Sequence, residues 1–225
     1  SNGVETAFNG NALTSVFHHS IGGYHAAKMS IYQDLIEKQL YKFPNCMPTI
    51  NMLNTKYIIF KDPSSGQLTY QINPEAAGPC WLVDEVKTER NPSKIMSHLD
   101  SLPIKKTAII EEDIKTKTSS QVGDSIWLVS NQNDQVNYKS KTAGERFAVF
   151  SEVFYKHGWK AYVDGKEVPI YKTNYVLRGA YVPAGNHDIK FEFKPDAYYK
   201  GEWIGILANA AVWALLLLAG IMEYR

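Results

Sequence analysis

The chain has 225 residues, 44% of them in the hydrophobic set and 21% charged, with 24 Lys and Arg against 23 Asp and Glu. This composition excludes a disordered tail, a collagen-like repeat and a coiled-coil fibre, and the length allows one large domain or two small ones. A net charge of +1 gives no electrostatic footprint for nucleic acid.

Residues 1–23 are polar and glycine-rich and read as loop. Tyr24, Ala27, Ile31 and Leu35 recur at spacings of three and four, which predicts a helix over Tyr24–Leu40. Pro48–Leu53 reads as a second, short helix with Pro48 near its first position. The period then changes. Tyr57–Phe60 and Gln67–Ile72 are strand signals on either side of a turn at Asp62–Gly66. Cys80–Val86 is another strand, and Asn91-Pro92 opens a helix through Leu99 with Asn91 as N-cap. Thr107–Ile110 is a further strand, so residues 24–110 form an α+β unit.

Beyond residue 116 the helical signals stop. Strands are expected at Ser125–Ser130, Gln135–Ser140, Phe147–Tyr155, Lys160–Val163, Glu167–Tyr171, Val176–Val182 and Asp188–Phe193. Short strands at this density predict an antiparallel sandwich. Asp164-Gly165 is a type I′ hairpin signal, because both turn residues need positive φ. Lys194–Gly201 reads as a bridge into Trp203–Met222, a run of 20 residues without a charge. A helix of that length spans the roughly 30 Å of a bilayer core. Trp203 and Tyr224 sit near its ends, where amphipathic rings favour the interface. A buried core helix is the alternative, but the run has no hydrophilic face. The chain opens on Ser1-Asn2-Gly3 without a targeting sequence, and the expectation is a piece of a larger membrane protein.

Two cysteines, Cys46 and Cys80, stand 34 residues apart. They suit one disulfide in an oxidising compartment or, the favoured reading, two separate buried thiols. No Cys/His cluster has zinc spacing, and no metal or cofactor is expected.

Several motifs resemble one family. They are Gly158-Trp159, Val163-Asp164-Gly165, Asn174 with Arg178, Pro183-Ala184-Gly185-Asn186-His187, and Pro195, all within residues 151–195. This succession, followed soon by an apolar helix, resembles the C-terminal extracytoplasmic module of YfhO-type bacterial membrane proteins. Residues 17–36, 52–59 and 73–83 resemble the same family as found in Bacteroidetes-type sequences. YfhO-type proteins are similar to polytopic GT-C glycosyltransferases, which move a sugar from a polyprenyl-phosphate carrier outside the cytoplasmic membrane. In such enzymes the catalytic carboxylate lies in an early loop, and no residue here corresponds to it. The resemblance thus implies an accessory domain with no catalytic residue of its own, and leaves open whether the whole protein is a glycosyltransferase.

The residues themselves show no GxSxG, HExxH or phosphate-loop signature. His18, His19, Tyr24, His25 and Lys28 are one candidate set, for a lipid phosphate or a sugar. They lie in and just after a glycine-rich loop, with His25 and Lys28 on one helix face. The alternative is a surface loop with locally satisfied histidines. Trp159 and Tyr175 are candidate aromatic contacts to a sugar, against core packing and cross-strand pairing. Asn174 and Arg178, an even number apart, are expected on one strand face, with Arg178 pairing Asp164 or Asp188.

The expected architecture is α+β. A mixed α/β subdomain at 1–115 precedes an antiparallel β-sandwich at 116–200 and a transmembrane helix at 203–222. The expected partners are the lipid bilayer, a polyprenyl-phosphate-linked sugar and a glycan acceptor, with no nucleic acid. The expected place is the bacterial cytoplasmic membrane, with the soluble part facing the periplasm or cell exterior. The function implied is support of sugar transfer to a cell-envelope acceptor. The rivals are a membrane-anchored carbohydrate-binding module and a purely structural assembly domain.

Overall fold

A computed structural model describes residues 19–22, 28–113 and 121–223. Helix α1 spans Ser30–Lys38 and buries Leu35 and Ile36. A 3₁₀ turn at Leu40–Lys42 follows it, and α2 covers Met47–Met52 with Pro48 in its first turn. The helix expected from Tyr24 begins only at Ser30, because Met29 is extended (φ −67°, ψ 133°), so Lys28 precedes α1 rather than lying on its face; residues 24–27 lie outside the described residues.

Strands β1 (Tyr57–Lys61) and β2 (Leu68–Ile72) form an antiparallel hairpin of their own. Its turn is held by the Asp62 carboxylate, which accepts from the backbone N–H of Ser64 and from the hydroxyls of Ser64 and Ser65. Next come β3 (Cys80–Val83), β4 (Glu85–Thr88), α3 (Pro92–His98) and β5 (Thr107–Ile110). Asn91 caps α3 as expected, its side-chain oxygen accepting from Ser93 and Lys94 N–H. Then follow β6 (Ser125–Asn131), β7 (Gln135–Thr142), β8 (Arg146–Val153), β9 (Trp159–Val163) and β10 (Lys166–Val168). The last strands are β11 (Tyr171–Thr173), β12 (Leu177–Val182) and β13 (Gly185–Phe193), and α4 covers Asp196–Glu223.

Two sheets face each other. One has the order β10-β9-β13-β7-β6, the other β3-β8-β12-β11-β5-β4. The second sheet takes β3, β4 and β5 from before residue 115 and the other three strands from after it. Its central strands are buried on both faces, which the alternation of β8 makes plain. Ala148 and Phe150 pack between the sheets with Tyr138, Ile189 and Phe191, while Phe147 and Val149 pack against Leu35 of α1 and Ile95 and Leu99 of α3. The molecule is therefore layered as helices, sheet, sheet: an α+β fold with a sandwich and a long apolar C-terminal helix.

Three further expectations need correction. Cys80–Val86 is two strands. The backbone N–H groups of Asp84 and Glu85 both donate to the carbonyl of Lys106, which turns the chain. β3 and β4 are opposite edges of one sheet although only Asp84 separates them, so the sheet curls until its edges meet there. The buried Arg146 staples this corner, donating to Val83 O and Asp84 Oδ1 at 3.1 Å and to Asp124 Oδ2 at 2.9 Å. Glu167–Tyr171 is also split. Pro169, which has no N–H for a ladder, falls in the gap, and β10 and β11 join different sheets. Finally, the bridge at residues 194–201 is helical from Asp196.

None of α4 is buried, and its most apolar window has a mean hydropathy of 2.2. The alternative of a buried core helix is thereby set aside. The amide of Asn209 donates to Gly205 O at 2.9 Å within the helix. Asp164 and Gly165 both have positive φ, 49° and 81°, as the type I′ turn requires. Cys46 and Cys80 are free and buried. Cys46 packs beside Ile36 and Leu40, and Cys80 packs between the sheets.

Candidate functional site

A cleft of about 1330 Å³ opens between the helical layer, the β1–β2 hairpin and the end of the sandwich. One wall is the stretch His19–Gly22 with Lys28 and Tyr32. The Tyr32 hydroxyl donates to Ile21 O at 2.5 Å and so ties this stretch to α1. A second wall is the hairpin. Its register places Tyr57, Ile59, Leu68, Tyr70 and Ile72 on one face, since residues opposite or two apart share a side. The rings of Tyr57 and Tyr70 meet edge to face at 5.7 Å, and the cleft is lined by both. The third wall comes from the sheets: Asn131, Gln132 and Asn133 at the β6–β7 turn, Glu152 and Val153 of β8, Trp159 of β9 and Leu177 of β12.

Glu152 is the half-buried carboxyl of this wall. Desolvation holds its carboxyl above the usual carboxylate range, opposed by the cation of Arg178. Its Oε1 accepts from Asn131 Nδ2 at 3.4 Å. Arg178 is only 4% exposed. Its Nε donates to Val153 O at 3.0 Å, and its guanidinium lies 3.9 Å from the centre of the Trp159 ring. Burial pulls its pKa down to about 10. The expected pairing of Arg178 with Asp164 or Asp188 does not form. Arg178 sits on β12 in the six-stranded sheet. Asp164 accepts instead from His187, and Asp188 pairs with Lys139. Nor does Asn174 share a strand face with Arg178. It occupies the β11–β12 turn at φ 48°, where its N–H and side-chain oxygen both bond the backbone of Ile109 at 2.8 Å.

Of the residues picked from sequence, His19, Lys28 and Trp159 meet along this one cleft. His18, Tyr24 and His25 lie outside the described residues. Tyr175 is elsewhere: it is 6% exposed and its hydroxyl donates to Asp34 Oδ2 at 2.8 Å on α1. Burial, then this bond, push the Tyr175 phenol up to about 12. The Trp159 ring is already engaged, with Arg178 over it and Phe193 tilted against it at 5.4 Å. The rings more open to a ligand are Tyr57 and Tyr70, 52% and 62% exposed. Sequence reasoning passed over these two, Glu152 and the Asn131–Asn133 turn. Among the described residues no group of three or more His, Cys, Asp or Glu side chains converges as metal donors.

The cleft thus offers three kinds of contact. Lys28, Lys56 and His19 supply positive charge or donors on the helical and hairpin sides. Asn131, Gln132, Asn133 and Glu152 supply amides and a carboxyl for hydroxyl groups. Tyrosine rings supply apolar faces. The cleft also lies at the root of α4. Lys194 N donates to Gly158 O at 2.6 Å, next to Trp159, two residues before α4 begins.

Residues 98–205 match the model of a family described as bacterial membrane protein YfhO. The matched segment carries the sandwich wall of the cleft and the root of α4, while the hairpin and His19–Tyr32 precede it. No curated protein matches the chain, and no solved structure does.

Proposed function

We propose that this chain belongs to a YfhO-type membrane protein and that its folded region is an extracytoplasmic accessory domain that holds a lipid-linked sugar or its glycan acceptor during sugar transfer at the cell envelope. The family match and the exposed apolar helix support membrane residence. The periplasmic or exterior orientation and the transferase context rest on the resemblance to GT-C enzymes. One observation carries the ligand reading. His19 and Lys28, about 130 residues from Trp159 in sequence, line the same cleft as Trp159, at the root of the membrane helix. In this reading Lys28 and His19 face the phosphate, the Asn131–Asn133 turn and Glu152 take sugar hydroxyls, and Tyr57 and Tyr70 pack on the ring. The domain contributes binding and orientation, and the chemistry belongs to a catalytic carboxylate that has no counterpart among these residues.

The test is a titration of the full chain in lipid nanodiscs with a short-chain isoprenyl-phosphate sugar, followed by calorimetry. Lys28→Glu weakens binding about fivefold or more, because a partly exposed charge contact is worth about 1 kcal/mol and its reversal costs at least that. Lys166→Glu, on the distant β9–β10 hairpin, leaves it unchanged. Equal affinity in both variants, or no binding by the parent chain, removes the reading in favour of a structural assembly domain. Equal binding of the matching free sugar, without phosphate or lipid, favours the carbohydrate-binding module.

A further inference from the structure

The β1–β2 hairpin is the least explained part of the surface. Among the described residues it pairs with no other strand. Its cleft-side face carries Tyr57, Ile59, Leu68, Tyr70 and Ile72, exposed by 52%, 49%, 78%, 62% and 55%. Phe60 on the opposite face is 40% exposed. A contiguous apolar strip of this kind on a free ribbon is unfavourable in water, and such strips mark contact surfaces. At the hairpin's base the buried Asn73 donates to Asn51 Oδ1 and to Thr55 O, and its N–H donates to Lys56 O. The ribbon is therefore held firmly at one end while its apolar residues stay open.

We infer that this hairpin seats in the interfacial layer of the bilayer that α4 enters. Three observations single out lipid as the occupant. First, the composition is interfacial. Tyrosines alternate with aliphatic residues on the strip, Lys56 precedes β1 and Lys61, opposite Leu68, ends it on the same face, the mixture that favours the headgroup level of a membrane. Second, the membrane surface is close. Only Lys194 and Pro195 separate β13 from α4, and the aromatic residues Tyr198, Tyr199 and Trp203 fall within the first eight positions of that helix. At about 1.5 Å per residue, the interface they mark lies about 10 Å from the domain. Third, the hairpin is continuous with that root. Its apolar face and Trp159 line one cleft, and Trp159 packs on Phe193, the last residue of β13. A bilayer surface at Trp203 is thus near the wall of the cleft that Trp159 forms. With the hairpin in the headgroup layer, the cleft faces the membrane and is entered from it.

The test uses the full chain reconstituted in phosphatidylcholine vesicles with a minority of phosphatidylglycerol. Leu68→Cys is labelled with an environment-sensitive fluorophore; the native thiols are buried and react slowly. Nitroxide-bearing lipids then report contact with the bilayer and iodide reports contact with water. Ser97→Cys on α3 serves as the aqueous control and Leu216→Cys on α4 as the inserted one. The expected result is that headgroup and shallow-chain nitroxides remove about half or more of the signal at position 68, while position 97 responds only to iodide. A label at Tyr70→Cys behaves like position 68. Quenching of position 68 by iodide alone, with position 216 quenched by deep nitroxides, overturns the inference. So does shielding of position 68 from both quenchers, which means that another protein surface covers the hairpin. Neither result bears on ligand binding in the cleft, which the titration above reads separately.

Discussion

Replacing Arg178 by methionine separates a structural cation from a dispensable one. The residue is 4% exposed; its side chain donates a hydrogen bond to Val153 O at 3.0 Å, stacks on Trp159 at 3.9 Å and lies 5.7 Å from the centre of the Phe191 ring. A hydrogen bond from a charged donor contributes about 1.5–3 kcal/mol, and a desolvated cation–ring contact about 2. Methionine fills much of the volume and no longer carries the cost of burying a charge, which offsets part of the loss. Glu152, half-buried, then loses the opposing field of Arg178, which adds a smaller cost of about 1 kcal/mol because the two groups form no direct ion pair. The net expectation is a destabilisation of about 3 kcal/mol. For a chain of this size that lowers the melting temperature by about 6–12 °C. Urea unfolding of the full chain in a mild detergent, followed by tryptophan fluorescence, measures it. The double variant with Glu152→Gln recovers part of the loss, because the stranded carboxylate is gone. A single variant within about 0.5 kcal/mol of the parent, or a double variant no better than the single, refutes the reasoning.

Other consequences follow from particular contacts. His187 Nδ1 lies 2.6 Å from Asp164 Oδ2 and its Nε2 lies 2.9 Å from Ala184 O, so both ring nitrogens face acceptors and the imidazole pKa is raised, first by the Asp164 hydrogen bond. Asp164 is lowered, first by His187. The His187 contribution is present below its unfolded pKa of about 6.5 and is lost as pH rises through the folded value; the Asp164 contribution is present above about 3.9 and is lost as pH falls through the folded value. Stability from the pair therefore peaks between about pH 4 and 6.5, and His187→Phe flattens that maximum in urea titrations across pH. Gly165→Val, at φ 81° in the turn, costs about 1 kcal/mol or more, and an unchanged melting temperature argues against the turn. Gly179→Ala sets a Cβ at 2.5 Å from Phe147 Cζ in the sheet interior and costs about 1–3 kcal/mol by the same measurement. Burial pushes the thiol of Cys46 up to about 11 and that of Cys80 up to about 12. At pH 8 neither reacts with a thiol reagent until urea unfolds the chain, and fast native labelling of either thiol contradicts its placement.

Local signals in the sequence reach the elements further than they reach the pairings. Asn91-Pro92 fixes the start of α3, Asp164-Gly165 fixes a turn, and the uncharged run fixes most of α4, because each depends on a few neighbouring residues. The break at Asp84 is different. It is made by the carbonyl of Lys106 and the side chain of Arg146, groups brought there only by the folded sheet. Pro169 interrupts the expected strand Glu167–Tyr171 because it has no N–H to donate, yet nothing local says that β10 and β11 join opposite sheets. The candidate site divides in the same way. Lys28 and Trp159 stand out by residue type and context. Glu152 looks like one polar position near the end of a largely apolar strand, and only the packing of β8 beside Arg178 and Asn131 makes it a half-buried carboxyl in a cleft. The open face of the β1–β2 hairpin is written in the alternation of Tyr57, Ile59, Leu68, Tyr70 and Ile72, but a strand pattern does not say whether a face meets core, ligand or lipid.

Photo-crosslinking tests the central claim most directly. A benzophenone-bearing isoprenyl-phosphate sugar is incubated with the full chain in vesicles, irradiated, and the adducts are located by peptide mass spectrometry. The account predicts saturable labelling, competed by the unmodified compound, in the peptides that line the cleft: those containing Lys28 and Tyr32, Tyr57 and Tyr70, and Glu152 and Trp159. Labelling that is confined to α4, or that does not saturate, contradicts it.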